Sequence, residues 1–175
     1  MITPITIKPE AKNKTGKYVF FACLGSAFIM MAVYMLLDKY QGIAGLAALI
    51  FITAAIYIYN RYVSAVYYYD VFLDSADNAV FLIRQMVGKR ETTLCRVDLS
   101  SIVSVKAMSR EDKKAYKPDK DTGRYAYSPT MFPEVIYLLE VRSAYEKADV
   151  FVELTEEQAG VLSDYTRIAR EQAEA

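Results

Sequence analysis

The residues that could do chemistry are few, and their spacing does not assemble a catalytic set. The sequence has no histidine, which removes the commonest general base and metal ligand together. Its two cysteines, Cys23 and Cys95, form no C-x-x-C pair. Cys23 falls inside an apolar run and Cys95 inside a strand pattern, where a thiol behaves as a small buried hydrophobe. Ser100 and Ser101 would need an adjacent base to act as nucleophiles, and without one they read as turn residues. Glu156 and Glu157 are neighbours on a helical pattern, so they point about 100° apart. They read as acids at a helix start, where the dipole favours them. No phosphate-binding glycine loop, dinucleotide fingerprint or nucleophile elbow is present. The expectation is a protein that is not an enzyme and carries no cofactor and no metal.

The segment that stands out is Ser109–Pro133, a long polar stretch between strand patterns. Connections of this length in a compact domain are usually functional or disordered. Arg110, Lys113, Lys114, Lys117, Lys120 and Arg124 face four acids there, a net charge of +2, with Tyr116, Tyr125 and Tyr127 interleaved. From Glu134 onward ten acids oppose four bases. Two readings stand. The segment is a solvated loop of mixed charge, or Arg110, Lys113, Lys114, Tyr116, Lys117, Lys120, Arg124 and Tyr125 contact an anionic leaflet or an acidic partner. Nucleic acid does not fit a domain that is acidic as a whole.

The elements that must position these residues begin with two spans. The chain has 175 residues, 54% of them hydrophobic and 24% charged, with no net charge. No charge falls within Tyr18–Leu37 or Gly42–Tyr59. As helices these would be about 30 Å and 27 Å long, the thickness of a bilayer's hydrocarbon core. The link Asp38-Lys39-Tyr40-Gln41 permits only a tight hairpin, so both chain ends lie on one side. Lys8, Lys12, Lys14 and Lys17 oppose one acid, Glu10, ahead of the first span, and Arg61 follows the second. The positive-inside bias therefore predicts a multi-pass protein of the inner (cytoplasmic) membrane with both termini cytoplasmic. The expected organisation is a basic tail over 1–17, a transmembrane hairpin over 18–60 and a cytoplasmic domain over 61–175. Within the hairpin, Ala22 and Ser26 could face Ala54 and Ala55. Ala44, Gly45 and Ala48 would lie opposite bulky Met30, Met31 and Tyr34. The latter patch is either ordinary small-residue usage or a seat for a helix from a second copy or a partner.

Beyond Val66 the pattern changes to short β-branched and aromatic runs separated by turn residues: 66–73, 79–87, 92–98, 101–108, 134–142 and 148–154. A seventh strand would come from Thr122–Ser128. The last run alternates, with Val150, Val152 and Leu154 on one face and Asp149, Phe151 and Glu153 on the other. Thr155 and Gln158 have the spacing of a capping box. Val161, Leu162, Tyr165, Ile168 and Ala169 then form one apolar helical stripe. This is an α+β arrangement.

The stretch Cys95-Arg96-Val97-Asp98-Leu99-Ser100-Ser101-Ile102-Val103-Ser104-Val105 resembles the bacterial pleckstrin-homology-like pattern, in which a strand ends, a short turn follows and an I-x-x-V strand leaves. The whole layout, a two-span hairpin before the domain, is similar to that of membrane-anchored members. The resemblance implies a curved antiparallel sandwich of seven strands capped by a C-terminal helix. The phosphoinositide binding known in that family needs basic residues around the first hairpin loop. Here that loop is Asp74-Ser75-Ala76-Asp77-Asn78, with two acids and no base, so this activity does not carry over. The expected function is a membrane-anchored, non-enzymatic interaction module that docks a membrane or cytoplasmic protein or a second copy. The alternative is a lipid-reading or accessory subunit of a larger membrane complex.

Overall fold

The computed structural model describes residues 3–9, 14–74, 78–143 and 147–174. They form two compact units, a helical hairpin and a β domain ending in a helix. The fold is α+β.

In the hairpin, α1 (Thr15–Leu36) and α2 (Gln41–Ile58) are joined by a 3-10 turn at Asp38–Tyr40. A π turn at Tyr59–Val63 prolongs α2. The buried residues are Gly16, Ala27, Ala44, Ala48, Ala55 and Ile58, nearly all small. Large apolar side chains point away: Leu36 is 79% exposed, Ile43 75% and Phe28 69%. A helix pair made for water does the reverse, burying its large residues. Both helices are long and apolar enough to cross a membrane.

Of the two small-residue patches, the one in α2 meets α1 at Tyr34, as expected. Ala44 and Ala48 are buried, and the Tyr34 ring lies 3.4 Å from where a β-carbon on Gly45 would be. This contact is made within the hairpin, between α2 and the ring from α1. Ala22 is exposed and Ser26 half-buried, so the α1 contribution centres on Ala27 rather than on that pair.

The β domain contains β1 (Ile5–Ile7), β2 (Ala65–Leu73), β3 (Ala79–Val87), β4 (Arg90–Asp98), β5 (Ile102–Ser109), a short helix α3 (Arg110–Ala115), β6 (Gly123–Tyr127), β7 (Val135–Arg142), β8 (Lys147–Val152) and α4 (Glu156–Glu174). One sheet has the order β1-β2-β3-β4 and the other β5-β7-β8-β6. The β3–β4 hairpin turns at Gly88, whose φ of +62° suits glycine. Strand, short turn and strand follow one another through 95–105 as the pattern predicts, with the turn at Leu99–Ser101. The seventh strand does form within 122–128, but it pairs with β8 in parallel. An eighth, β1, comes from before the hairpin. The all-antiparallel, seven-strand plan is thus modified at both sheet edges.

The position of β1 corrects the picture of 1–17 as a tail. Ile5, Thr6 and Ile7 pair antiparallel with Val71, Asp70 and Tyr69, and Ile7 is buried. The Thr6 hydroxyl donates to Asp70 at 2.7 Å. Asp70 is also paired with Arg84 on β3. Nearby, the Thr3 and Tyr165 hydroxyls share a hydrogen bond of 2.8 Å. Lys12 and Glu10 of the expected tail lie outside the described residues, as do Ser75, Ala76 and Asp77 of the first hairpin loop.

The capping box at Thr155 is made in both directions: the Gln158 amide donates to Thr155 Oγ1, and the Thr155 amide to Gln158 Oε1. The docked stripe of α4 is Ala159, Leu162, Thr166 and Ala169, beside the Leu99–Ser101 turn and β5. Val161, expected in the stripe, is exposed, because the buried set follows i, i+3, i+7 and i+10.

The packing of the hairpin yields a test. Ala48→Leu adds volume at a closed seam and should cost about 1–3 kcal/mol, lowering the thermal midpoint of the full chain in detergent followed by circular dichroism. Ala22→Leu, at an exposed position, should leave that midpoint unchanged.

Candidate functional site

The candidate site is built where 109–133 meets the second sheet. Alternation along β7 puts Tyr137, Leu139 and Val141 on one face and Ile136, Leu138 and Glu140 on the other. Both faces are largely buried, since Ile136, Leu138 and Leu139 are all fully covered. On β8, Phe151 and Asp149 are each 0% exposed, and Glu153, just after the strand, is 4% exposed. The cover is the long segment itself. It contains α3 and β6, and most of its charged side chains are exposed. Ser109 caps α3 through a reciprocal bond with Asp112, whose carboxylate is held below the usual range by the Ser109 hydroxyl and amide. The chain then returns as β6.

Three anchors hold this cover. Tyr116 lies edge-on to Phe151, with ring centroids 6.0 Å apart, and its hydroxyl donates to Asp149 at 2.6 Å. That bond, with burial, pushes the phenol up to about 12. Arg142 completes Asp149 with an ion pair of 3.0 Å. Further along, Ser128 Oγ donates to Glu153 at 2.6 Å, and Thr130 donates through both its amide and its hydroxyl. The third anchor links the two sheets. Tyr69 donates to the Tyr127 carbonyl at 2.6 Å, and burial pushes its phenol well above the ordinary range. A buried carboxylate is tolerated only with its lone pairs satisfied, and these contacts satisfy them.

The basic residues singled out from the sequence divide into separate groups. Lys113 Nζ lies 5.4 Å from the Phe151 ring centroid and the Arg124 guanidinium carbon 5.0 Å from it. Arg124 also donates to the Lys113 carbonyl at 3.4 Å. Burial, then the Arg124 charge, pull the Lys113 ammonium below the usual lysine range. Arg110 stacks on Phe132 at 5.2 Å. Lys114, Lys117 and Lys120 are exposed. Tyr125 is exposed and stacked on Tyr127, with their planes 1° apart. Sequence reasoning thus missed Phe151, Asp149 and Glu153 as the groups this segment is organised around. The available signal was two acids alternating with a phenylalanine in an otherwise apolar strand.

A second feature is a cleft of about 400 Å³ between the β4 edge and β6, lined by Leu94, Cys95, Val97, Tyr125, Tyr127 and Val150. The Tyr127 hydroxyl donates to the Leu94 carbonyl across it at 3.3 Å. Elsewhere on the second sheet, the Ser104 hydroxyl and then Lys106 hold Glu140 below the usual carboxylate range.

No protein-family model, curated protein or solved structure matches this chain. Its function must therefore be argued from these contacts.

The anchoring of the segment is directly testable. Tyr116→Phe keeps the ring contact but removes a donor from a fully buried carboxylate. It should cost about 1–3 kcal/mol, read as a lowered denaturation midpoint together with faster proteolysis within 110–125. An unchanged midpoint and cleavage rate would show that the Tyr116–Asp149 bond does not hold the cover down.

Proposed function

We propose that this chain is a membrane-anchored, non-enzymatic contact module whose β domain and N-terminus lie together on the cytoplasmic side. The observation that carries this reading is the pairing of β1, which precedes the apolar hairpin, with β2, which follows it. Two strands cannot share a ladder across a hydrocarbon layer, since backbone groups there must be satisfied within their own segment. The hairpin is therefore an insertion within one domain, and it leaves and re-enters on the same side. Its large exposed apolar side chains support lipid as their surroundings. The lysines before α1 and Arg61 after α2 favour the cytoplasmic face.

The contact role is supported by how the domain uses its polar groups. Asp70, Asp149 and Glu153 are buried and engaged in hydrogen bonds or ion pairs that hold strands or the cover in place. A sheet edge offers a place for a partner. β4 ends the first sheet, and beside it lies the cleft walled by Tyr125 and Tyr127. An added strand, from another protein or a second copy, would gain main-chain bonds from the edge and side-chain contacts from the cleft. Attachment to a membrane raises the effective concentration of such partners, so a modest contact suffices.

A photo-crosslinking residue at Thr92, on the β4 edge, tests this in native membranes. The expected result is one discrete adduct, absent when Tyr125→Ala and Tyr127→Ala are introduced together. Equal adducts from Thr92 and from exposed Gln172 on α4 would contradict a dedicated edge contact.

A further inference from the structure

We infer that Lys113 and Arg124, both close to the ring of Phe151, form a binding site for a phosphate monoester group. Both cations are drawn to one buried aromatic side chain, so their charges lie within about 10 Å of each other (the sum of the two ring distances). The Arg124 bond to the Lys113 carbonyl ties the two residues together. Among the described residues, neither side chain makes an ion pair with an acid. The acid nearest in the sheet register is Asp149, directly across from Arg124. It is already occupied by the Tyr116 hydroxyl and Arg142.

Two like charges near one ring, neither paired with an acid, repel each other, and the Arg124 bond to the Lys113 carbonyl keeps them there. The Lys113 ammonium already registers the strain, because burial and the Arg124 charge both act against its protonated form. A group with two negative charges and several acceptor oxygens relieves this. Arg124 supplies a planar fork of donors and Lys113 a point charge, the pairing suited to phosphate oxygens. A carboxylate brings one charge, whereas a phosphate monoester brings nearly two at neutral pH. Thr122, two positions before Arg124, adds a hydroxyl that is buried and has no hydrogen-bond partner among the described residues. This site is separate from the β4 edge and does not depend on it. The monoester could belong to a soluble molecule or to a lipid headgroup such as that of phosphatidic acid.

The test uses the full chain in maltoside micelles with its lysines reductively ¹³C-methylated, and with the Lys113 resonance assigned from Lys113→Gln. Inorganic phosphate is titrated against sodium chloride of matched ionic strength. The expected result is saturable movement of the Lys113 resonance with phosphate and a higher Lys113 titration midpoint, neither reproduced by chloride. Arg124→Gln should weaken phosphate binding at least tenfold, while raising the Lys113 midpoint in the absence of phosphate. Arg124→Lys, which preserves the charge and the packed stem, should retain part of the binding and guards against misfolding of the first variant. In nanodiscs containing phosphatidic acid but no added phosphate, the same shift would assign the headgroup as the source. Its absence there, with the phosphate response intact, would assign a soluble monoester. A Lys113 resonance that ignores phosphate, or that moves equally with chloride, would overturn the site.

Discussion

The structure depends on a ladder of three residues. Ile5, Thr6 and Ile7 pair with Val71, Asp70 and Tyr69 across an insertion that contains the whole apolar hairpin. A strand this short contributes little by itself, and it is held by the groups around it. Thr6 reaches a buried carboxylate that is already fixed by Arg84, and Thr3 reaches α4 through Tyr165. With β1 in the first sheet, that sheet is built from chain on both sides of the insertion. The β domain is continuous in sequence with the hairpin at both ends of the insertion.

A second constraint acts on the other sheet. The middle strands β7 and β8 carry apolar residues on both faces, and a four-stranded sheet with two apolar faces needs two covers. On one side the core includes Tyr69, whose hydroxyl reaches across from the first sheet. On the other side the cover is 109–133, pinned by Tyr116, Ser128 and Thr130 to Asp149 and Glu153. The same packing that covers Phe151 brings Lys113 and Arg124 together. The basic character of the segment, which looked like a diffuse property of a loop, becomes a local one. Two cations share one ring, one stacks on Phe132, and three remain in solvent.

Much of this order was legible in the residues. The hairpin follows from uncharged length, the strands from β-branched and aromatic runs, and α4 from a capping box that both partners complete. The legible parts share a feature: each is decided by neighbours within a few residues. What stayed hidden depends on distant partners. β1 is three residues amid lysines, too short to show a period, and its partner lies more than sixty positions away. The burial of Asp149 and Glu153 could not be read because alternation gives the face of a strand but not what covers that face. Ala44, Gly45 and Ala48 could be set opposite Tyr34 from their depth in the hairpin, but spacing along one helix does not show how fully they are covered: Ala44 and Ala48 are buried, and the Tyr34 ring lies against Gly45.

The most direct test of the account is a disulfide between β1 and β2 in native membranes. Ile5→Cys and Val71→Cys are introduced together, with Cys23→Ser and Cys95→Ser removing the native thiols, and isolated membranes are treated with a mild oxidant. Register pairing across the ladder predicts rapid formation of a bond within one chain, which single-cysteine controls lack. If no such bond forms while control cysteines oxidise normally, β1 is not on the same side of the membrane as the domain, and the account fails.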